Sequence, residues 1–343
     1  MGARSFSPAR MLFRLKTHIL AAFLLFTPIT VPAQTATEDD EVLRVSTELL
    51  VFPIRIRDKR GQAVAGLTES DLTLKDKDDV ISGLYFSHGV DQVALVFALD
   101  QSGSLRDIIS AQRGAALALF GRFSERSRVA VLRFTETPSI VAAFDRDVNS
   151  AREAFTFPAE RNRHTAIFDA AAKAVEMFKT LPRVRSQRHI VILISDGLDN
   201  ASRSKVGDVI DEALKRRVSF YVIHIPLFEP RNGRLEVREP AKGFRDLAQK
   251  TGGKYFLVGN AKSALAQGKT EDLTPVFQAI EEDLRSQYLL GFYIRESARD
   301  GRRHTFSMGL ARKDIEYSVR GSGYSRSQDF FVHYPPGKTT LPN

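Results

Sequence analysis

Val93-Ala-Leu-Val-Phe-Ala-Leu-Asp100-Gln-Ser102-Gly-Ser104 is the stretch whose reading decides the fold. An apolar run ends abruptly in a carboxylate, and two hydroxyls follow at alternate positions with a glycine between them. Such a run suits a strand buried on both faces, as in a parallel sheet covered by helices. A carboxylate and two hydroxyls are hard oxygen donors, which suit Mg²⁺, Ca²⁺ or Mn²⁺ better than softer metals. At the carboxyl end of a buried parallel strand they fall where open α/β sheets bind ligands.

Downstream of this strand the pattern alternates strand with helix. Strands are expected at 93–100, 128–135, 139–144, 188–195, 218–225 and 253–258, and helices near 106–123, 149–156, 166–180, 204–216, 242–251 and 271–285. Only Thr135-Glu-Thr-Pro138 separates the second and third strands, so these two form a hairpin; the others need crossover helices and lie parallel. The expectation is an α/β fold, a doubly wound, mostly parallel six-stranded sheet with one antiparallel edge. The charged insertion from Pro226 to Pro240 reads as a surface loop.

On either side the pattern is strand without helical period. Leu49 to Arg57 ends in apolar/polar alternation before the turn Asp58-Lys-Arg-Gly61, and short strand-like runs continue to Ser87. After the last helix come Gln287 to Ile294, Arg303 to Leu310 and Ile315 to Arg320. A β module of about fifty residues is marginal alone, so the N- and C-terminal segments are expected to pair into one small β-sandwich. This divides the chain into an N-terminal β segment (34–91), the α/β domain (92–286), C-terminal strands (287–325) and a tail (326–343).

Residues 1–33 carry Arg4, Arg10, Arg14 and Lys16 without an acid, then an apolar run from Ile19 to Val31 and Val31-Pro-Ala33. This is the pattern of a secretory signal peptide cleaved after Ala33. The run is short of the roughly 20 apolar residues a spanning helix needs and contains Pro28 and Pro32, so no transmembrane segment is expected in the mature chain. An exported, periplasmic or secreted protein follows. Without these four charges the formal net charge falls from +9 to +5, and the remaining Lys and Arg are scattered, which argues against nucleic acid as a partner. The chain has no cysteine, so disulfides, thiolate metal sites and cysteine nucleophiles are excluded.

Asp100, Ser102 and Ser104 by themselves could equally cap the following helix. Two further pieces decide between the readings. His164-Thr165 precedes the 166–180 helix, and the fourth strand ends Ile192-Leu-Ile-Ser-Asp196-Gly197. The first and fourth strands of a doubly wound sheet are neighbours, which puts Asp196 beside Asp100 and brings Thr165 in from the adjoining loop. His189 and His224 fall within strands and read as packed or hydrogen-bonded; Asp169 reads as a helix residue or a supporting partner, and Asp145-Arg-Asp147 before Asn149 as a turn followed by a helix N-cap. Gln267-Gly-Lys-Thr270 fails as a phosphate loop because Ser263 stands where the first glycine is needed. No Gly-x-Ser-x-Gly elbow is present.

Asp-x-Ser-x-Ser, a loop threonine and a strand-terminal Asp-Gly, in that order over residues 92–286, resemble the metal-ion-dependent adhesion site of von Willebrand factor A domains. The resemblance implies that Ser102, Ser104 and Thr165 ligate a divalent cation, that Asp100 and Asp196 bind it directly or through water, and that a partner's acidic group completes the shell. The flanks, including Leu67-Thr-Glu-Ser-Asp-Leu72 and Tyr288-Leu-Leu-Gly-Phe-Tyr293, resemble exported A-domain proteins of acidobacteria. Where A-domains often place glycines before the threonine, this chain has Arg161-Asn-Arg-His164. Arg161, Arg163 and His164 are therefore expected to form a basic rim that favours an anionic partner. The resulting expectation is an exported binding or adhesion module that engages a protein or acidic ligand through Mg²⁺, with Mn²⁺ or Ca²⁺ as substitutes. The alternatives are a purely structural envelope protein and a metal-assisted hydrolase, since an open metal position can activate water; no positioned base can be nominated for the latter.

Overall fold

Strand β1 (Thr47–Asp58) is the first described element and has two buried faces. Leu50, Phe52, Ile54 and Ile56 point into an apolar core, while Leu49 and Val51 pack on the other side with Leu289. Three short strands follow: β2 (Leu72–Asp76), β3 (Asp79–Ile81) and β4 (Tyr85–His88). The computed structural model describes residues 47–77, 79–90, 92–103, 105–157, 164–182, 184, 187–265, 271–295, 300–319 and 327–333. The candidate signal segment, Ser104, Arg161, Arg163 and Gln267 to Thr270 lie outside the described residues.

The α/β part begins with β5 (Gln92–Asp100), α1 (Arg106–Ala111), α2 (Arg113–Phe120), β6 (Arg128–Phe134), β7 (Pro138–Asp145) and α3 (Val148–Arg152). It continues through α4 (Ile167–Met177), β8 (Gln187–Ser195), α5 (Val206–Lys215) and β9 (Val218–His224). Next come β10 (Phe228–Arg231), β11 (Arg234–Val237), α6 (Phe244–Thr251), β12 (Tyr255–Leu257), α7 (Ala261–Leu265) and α8 (Thr274–Arg285). The main sheet has six strands in the order β12-β9-β8-β5-β6-β7, all parallel except the β6–β7 hairpin. That is the doubly wound α/β sheet expected from the sequence.

Strand β5 lies at the centre, and its alternation sorts side chains by size. Val93, Leu95, Phe97 and Leu99 face one helical layer, which includes Ile109, Leu117, Phe277 and Leu284. Ala94, Val96 and Ala98 face the other layer, where α4 presents Ala170, Ala171 and Ala174. Small residues on both surfaces let α4 approach the sheet closely, and this fixes where the loop before α4 meets the strand ends.

The chain closes with β13 (Gln287–Arg295), β14 (Arg303–Leu310), β15 (Ile315–Val319) and β16 (Ser327–His333). These interleave with the early strands in two four-stranded sheets, β15-β1-β13-β4 and β16-β14-β2-β3, around a shared core that includes Phe52, Phe292, Phe306 and Tyr317. The sandwich is bolted to the α/β layer through a buried carboxylate. Asp283 of α8 accepts from Arg55 Nε at 2.9 Å, Tyr221 Oη at 2.8 Å and Gln287 Nε2 at 2.9 Å, and pairs with Lys254 at 2.8 Å. Arg55 also donates to the carbonyl of Gly252 at 2.6 Å.

Three expectations are corrected. The helix read over 106–123 is two helices meeting at Gln112, whose side chain clamps the loop before α8 by donating to Glu271 O and accepting from Leu273 N, each at 3.0 Å. The insertion read as a loop contains the β10–β11 ribbon, turned by Asn232 and Gly233 at φ of 50° and 76°. Two consecutive positive φ values are what a two-residue hairpin turn requires, and Asn-Gly supplies them cheaply. In the stretch read as a tail, residues 327–333 pair antiparallel with β14.

Candidate metal centre

Asp100 ends β5 fully buried, and among the described residues its carboxylate accepts hydrogen bonds from the segment after β5 and from the end of β8. Oδ1 accepts from the Ser102 N–H at 2.9 Å, and Oδ2 accepts from the Ser195 hydroxyl at 2.7 Å. Parallel register sets this up: Leu99 lies opposite Ile194, so the next residue on each strand emerges at the same level. Ser195 Oγ in turn accepts from the Gly197 N–H at 3.1 Å. One hydroxyl thereby ties the first carboxylate to the turn that carries the second.

Asp196 follows Ser195 and is 6 % exposed, with Oδ1 accepting from Leu198 N at 2.9 Å. Burial pushes its carboxyl up, and the Leu198 hydrogen bond and the charge of Arg238 pull it back. Burial pushes Asp100 up to about 6, with the charge of Asp196 adding to the rise. The charge of Asp196 thus adds to the cost of ionising the buried Asp100, a cost that a cation between them would remove.

Thr165 is 7 % exposed and held from three sides. Its N–H donates to Asn200 Oδ1 at 2.8 Å, its carbonyl accepts from Asn200 and Ala201 N–H, and the next residue, Ala166, donates to Thr135 O at 2.7 Å. The first N–H groups of α4, which a helix leaves without internal partners, go to the same loop. Ile167 N donates to Asp199 Oδ1 at 2.8 Å, and Phe168 N donates to Ser202 Oγ at 2.9 Å. Asp169 returns the exchange by accepting from Arg203 N and Ser204 N, and Asp199 accepts from the Ser202 hydroxyl at 2.5 Å. The loop after β8 and the loop before α4 are therefore one rigid shelf.

Beneath the Asp196 turn lies His224 at the end of β9. A carbonyl can only accept, so His224 Nε2 carries the proton it donates to Asp196 O at 2.8 Å, and Nδ1 accepts from Tyr255 Oη. Burial holds this imidazole neutral, with its pKa lowered to about 4. Gly197 has φ +83°, and a Cβ there would lie 2.7 Å from Pro240 Cβ and 3.0 Å from His224 Nε2. Only glycine fits.

The residues singled out by sequence distribute as follows. Asp100, Ser102, Thr165 and Asp196 gather at the carboxyl ends of β5 and β8 and the loop before α4. His164 is exposed beside them. His224 and His189 are hydrogen-bonded inside the fold, and Asp147 caps α3 through Asn149 N. Sequence reasoning missed Ser195, Asp199, Asn200 and Ser202. All four are short polar residues next to a strand end, a signal common to ordinary turns. Among the described residues no group of three or more His, Asp and Glu side chains comes together, so any cation here would depend on hydroxyl ligands. The Ser102 hydroxyl is available for that role: among the described residues its buried Oγ makes no well-formed hydrogen bond, although it acts on the Asp100 carboxylate. A buried hydroxyl left unpaired costs about 1–3 kcal/mol, and a hard cation between it and the two carboxylates would remove both that cost and their repulsion. The donor set fits a divalent cation.

The fold is that of a doubly wound α/β domain, and these oxygen donors lie at the carboxyl ends of its strands, where such sheets bind ligands. Residues 95–198 match the family model described as the von Willebrand factor type A domain. Among solved structures it is similar to a von Willebrand factor type A protein from Catenulispora acidiphila (13 % identity, 86 % of this chain and 75 % of that one, TM-score 0.44). It is also similar to an aerotolerance-related membrane protein from Bacteroides fragilis (16 %, 56 % and 98 %, 0.41). A third likeness is to proximal thread matrix protein 1 from the mussel byssus with a zinc-occupied MIDAS motif (14 %, 57 % and 48 %, 0.42). No curated protein matches the chain.

Proposed function

We propose that the protein is a divalent-cation-dependent binding module whose metal is held by Asp100, Ser102, Ser104, Thr165 and Asp196. The observation that carries the reading is the Ser102 hydroxyl, which is buried without a well-formed hydrogen bond among the described residues and lies beside Asp100, whose ionisation the charge of Asp196 opposes. Neutral hydroxyls and two carboxylates leave a bound cation with residual positive charge, so its chemistry is to attract a carboxylate from a partner protein or other acidic ligand. The chain's own residues do the rest. Ser195 and the Ser102 N–H fix the Asp100 carboxylate, the Asn200–Ser202 shelf fixes Thr165, and His224 supports the turn carrying Asp196. Mg²⁺ is the first candidate because the donors are few and hard, and Mn²⁺ can replace it.

The N-terminal pattern of basic residues, apolar run and Ala33 supports export, which places the partner in the periplasm or outside the cell. No helix among the described residues is long and apolar enough to cross a membrane. The direct test is calorimetric titration with Mg²⁺ and Mn²⁺. Saturable binding by the wild type, abolished in a folded Asp100→Ala variant, supports the assignment, and equal affinity in the two proteins overturns it.

A further inference from the structure

The β10–β11 ribbon springs from the same corner as Asp196, and its base is locked there. Arg238 N donates to Leu227 O at 2.8 Å, closing the ribbon, and Ala241 N donates to Gly197 O at 2.8 Å, joining the return strand to the Asp196–Gly197 turn. Pro240 packs on Gly197 so closely that no Cβ could be added there. A chain of contacts completes the lock: Glu239 lies 3.9 Å from Arg245, whose guanidinium stacks on Tyr255, which bonds His224, which bonds Asp196 O.

The ribbon itself has two unlike faces. Register pairs Phe228 with Val237 and Pro230 with Leu235 on one face, and Glu229 with Glu236 and Arg231 with Arg234 on the other. Phe228, Leu235 and Val237 are partly buried, while Arg231, Arg234 and Glu236 are exposed. Arg231 is paired with Glu229 at 2.7 Å. By strand alternation Arg238 continues the charged face at the end nearest Asp196. It is exposed, and among the described residues its guanidinium has no ion-pair or hydrogen-bond partner. Its charge nevertheless acts on Asp196.

We propose that this ribbon is a specificity arm and that Arg238 receives a second acidic group of the partner, so that the ligand is an acidic peptide segment with two carboxylates, one at the cation and one at Arg238. The inference rests on the cation-dependent reading above. An arginine on a fixed backbone can bind a carboxylate through two parallel hydrogen bonds, and its planar fork loses less entropy per bond formed than a flexible ammonium does. A lysine would keep the charge and lose the fork.

The test uses synthetic peptides of equal length carrying no Asp, one Asp, or two Asp spaced two, three or four residues apart. Anisotropy is read in Mg²⁺ and in EDTA on the full chain. One good charge-assisted pair corresponds to roughly tenfold in affinity, so the wild type is expected to favour its best two-Asp peptide over the one-Asp peptide by about that factor. Arg238→Ala is expected to erase the preference while the protein still binds the one-Asp peptide and, having lost a positive charge near Asp196, binds Mg²⁺ no more weakly than the wild type by calorimetry; Arg238→Lys restores part of the preference. A wild type without the preference, or an Arg238→Ala protein that keeps it, overturns the arm and leaves the metal site standing. Failure of the wild type to bind Mg²⁺, with peptide binding equal in Mg²⁺ and EDTA, overturns the metal reading instead.

Discussion

Ser195 Oγ donates to Asp100 Oδ2 across 2.7 Å, joining the ends of two adjacent parallel strands. The same oxygen accepts from Gly197 N, so it sets the orientation of Asp100 and the start of the Asp196 turn together. Ser195→Ala removes both bonds and leaves a buried N–H unpaired, at a cost of about 1–3 kcal/mol. We expect Mg²⁺ affinity to fall roughly tenfold in a folded protein, with Ser195→Thr close to wild type. Calorimetry alongside urea denaturation separates the two effects.

Gly197→Ala introduces a Cβ 2.7 Å from Pro240 Cβ in a backbone conformation with φ +83°. Both the clash and the left-handed backbone oppose it, so a loss of more than about 2 kcal/mol is expected. Because His224 and Pro240 press on the same turn, the metal-dependent signal should disappear even where the protein remains folded. Far-ultraviolet circular dichroism with a Mg²⁺ titration checks this.

Asp283 and Arg55 hold the sandwich to the α/β layer, and both are buried. Asp283→Asn leaves the guanidinium unpaired and is expected to destabilise by about 3–5 kcal/mol. Burial alone would raise the Asp283 carboxyl, but Arg55 and then Lys254 hold it well below the usual carboxylate range. A depressed folded pKa gives stabilisation that is complete above the ordinary 3.8 and is lost as pH falls below it toward the folded value. The acid limb of a urea-midpoint profile should therefore be shallower in Asp283→Asn.

His189 lies against the Phe178 ring with centroids 4.7 Å apart, and burial lowers its pKa from 6.5 to about 4. Between those values the unfolded chain binds the proton and the folded one does not, so stability is lost as pH falls from 6.5 toward 4. His189→Phe removes this titration and keeps the stacking. Its midpoint should vary less than that of the wild type across this window in thermal melts.

Much of the fold was legible in the chain because it rests on local pattern. The run Val93 to Leu99 can only be buried on both faces, and the short Thr135–Pro138 link can only make a hairpin. The ribbon at 228–237 was missed although Asn232-Gly233 is its natural turn, because four-residue strands with Pro230 inside carry little periodic signal. The strand at 327–333 exists through pairing with β14, a partner that sequence pattern does not name.

For the candidate site, the sequence by itself named the proposed donors: a carboxylate after an apolar strand, spaced hydroxyls, and an Asp-Gly at a second strand end. These are matters of residue type and spacing, which strand alternation and strand-end placement translate into position. Only the tertiary structure decided what holds them. Ser195 reaches Asp100 from 95 residues away, Asn200 reaches Thr165 from 35, and the ribbon base carrying Arg238 meets Gly197 through the Ala241 N–H and the Pro240 ring. Hydrogen bonds between short polar side chains and a distant backbone leave no periodicity behind, so they come into view only when the sheet has brought the strand ends together.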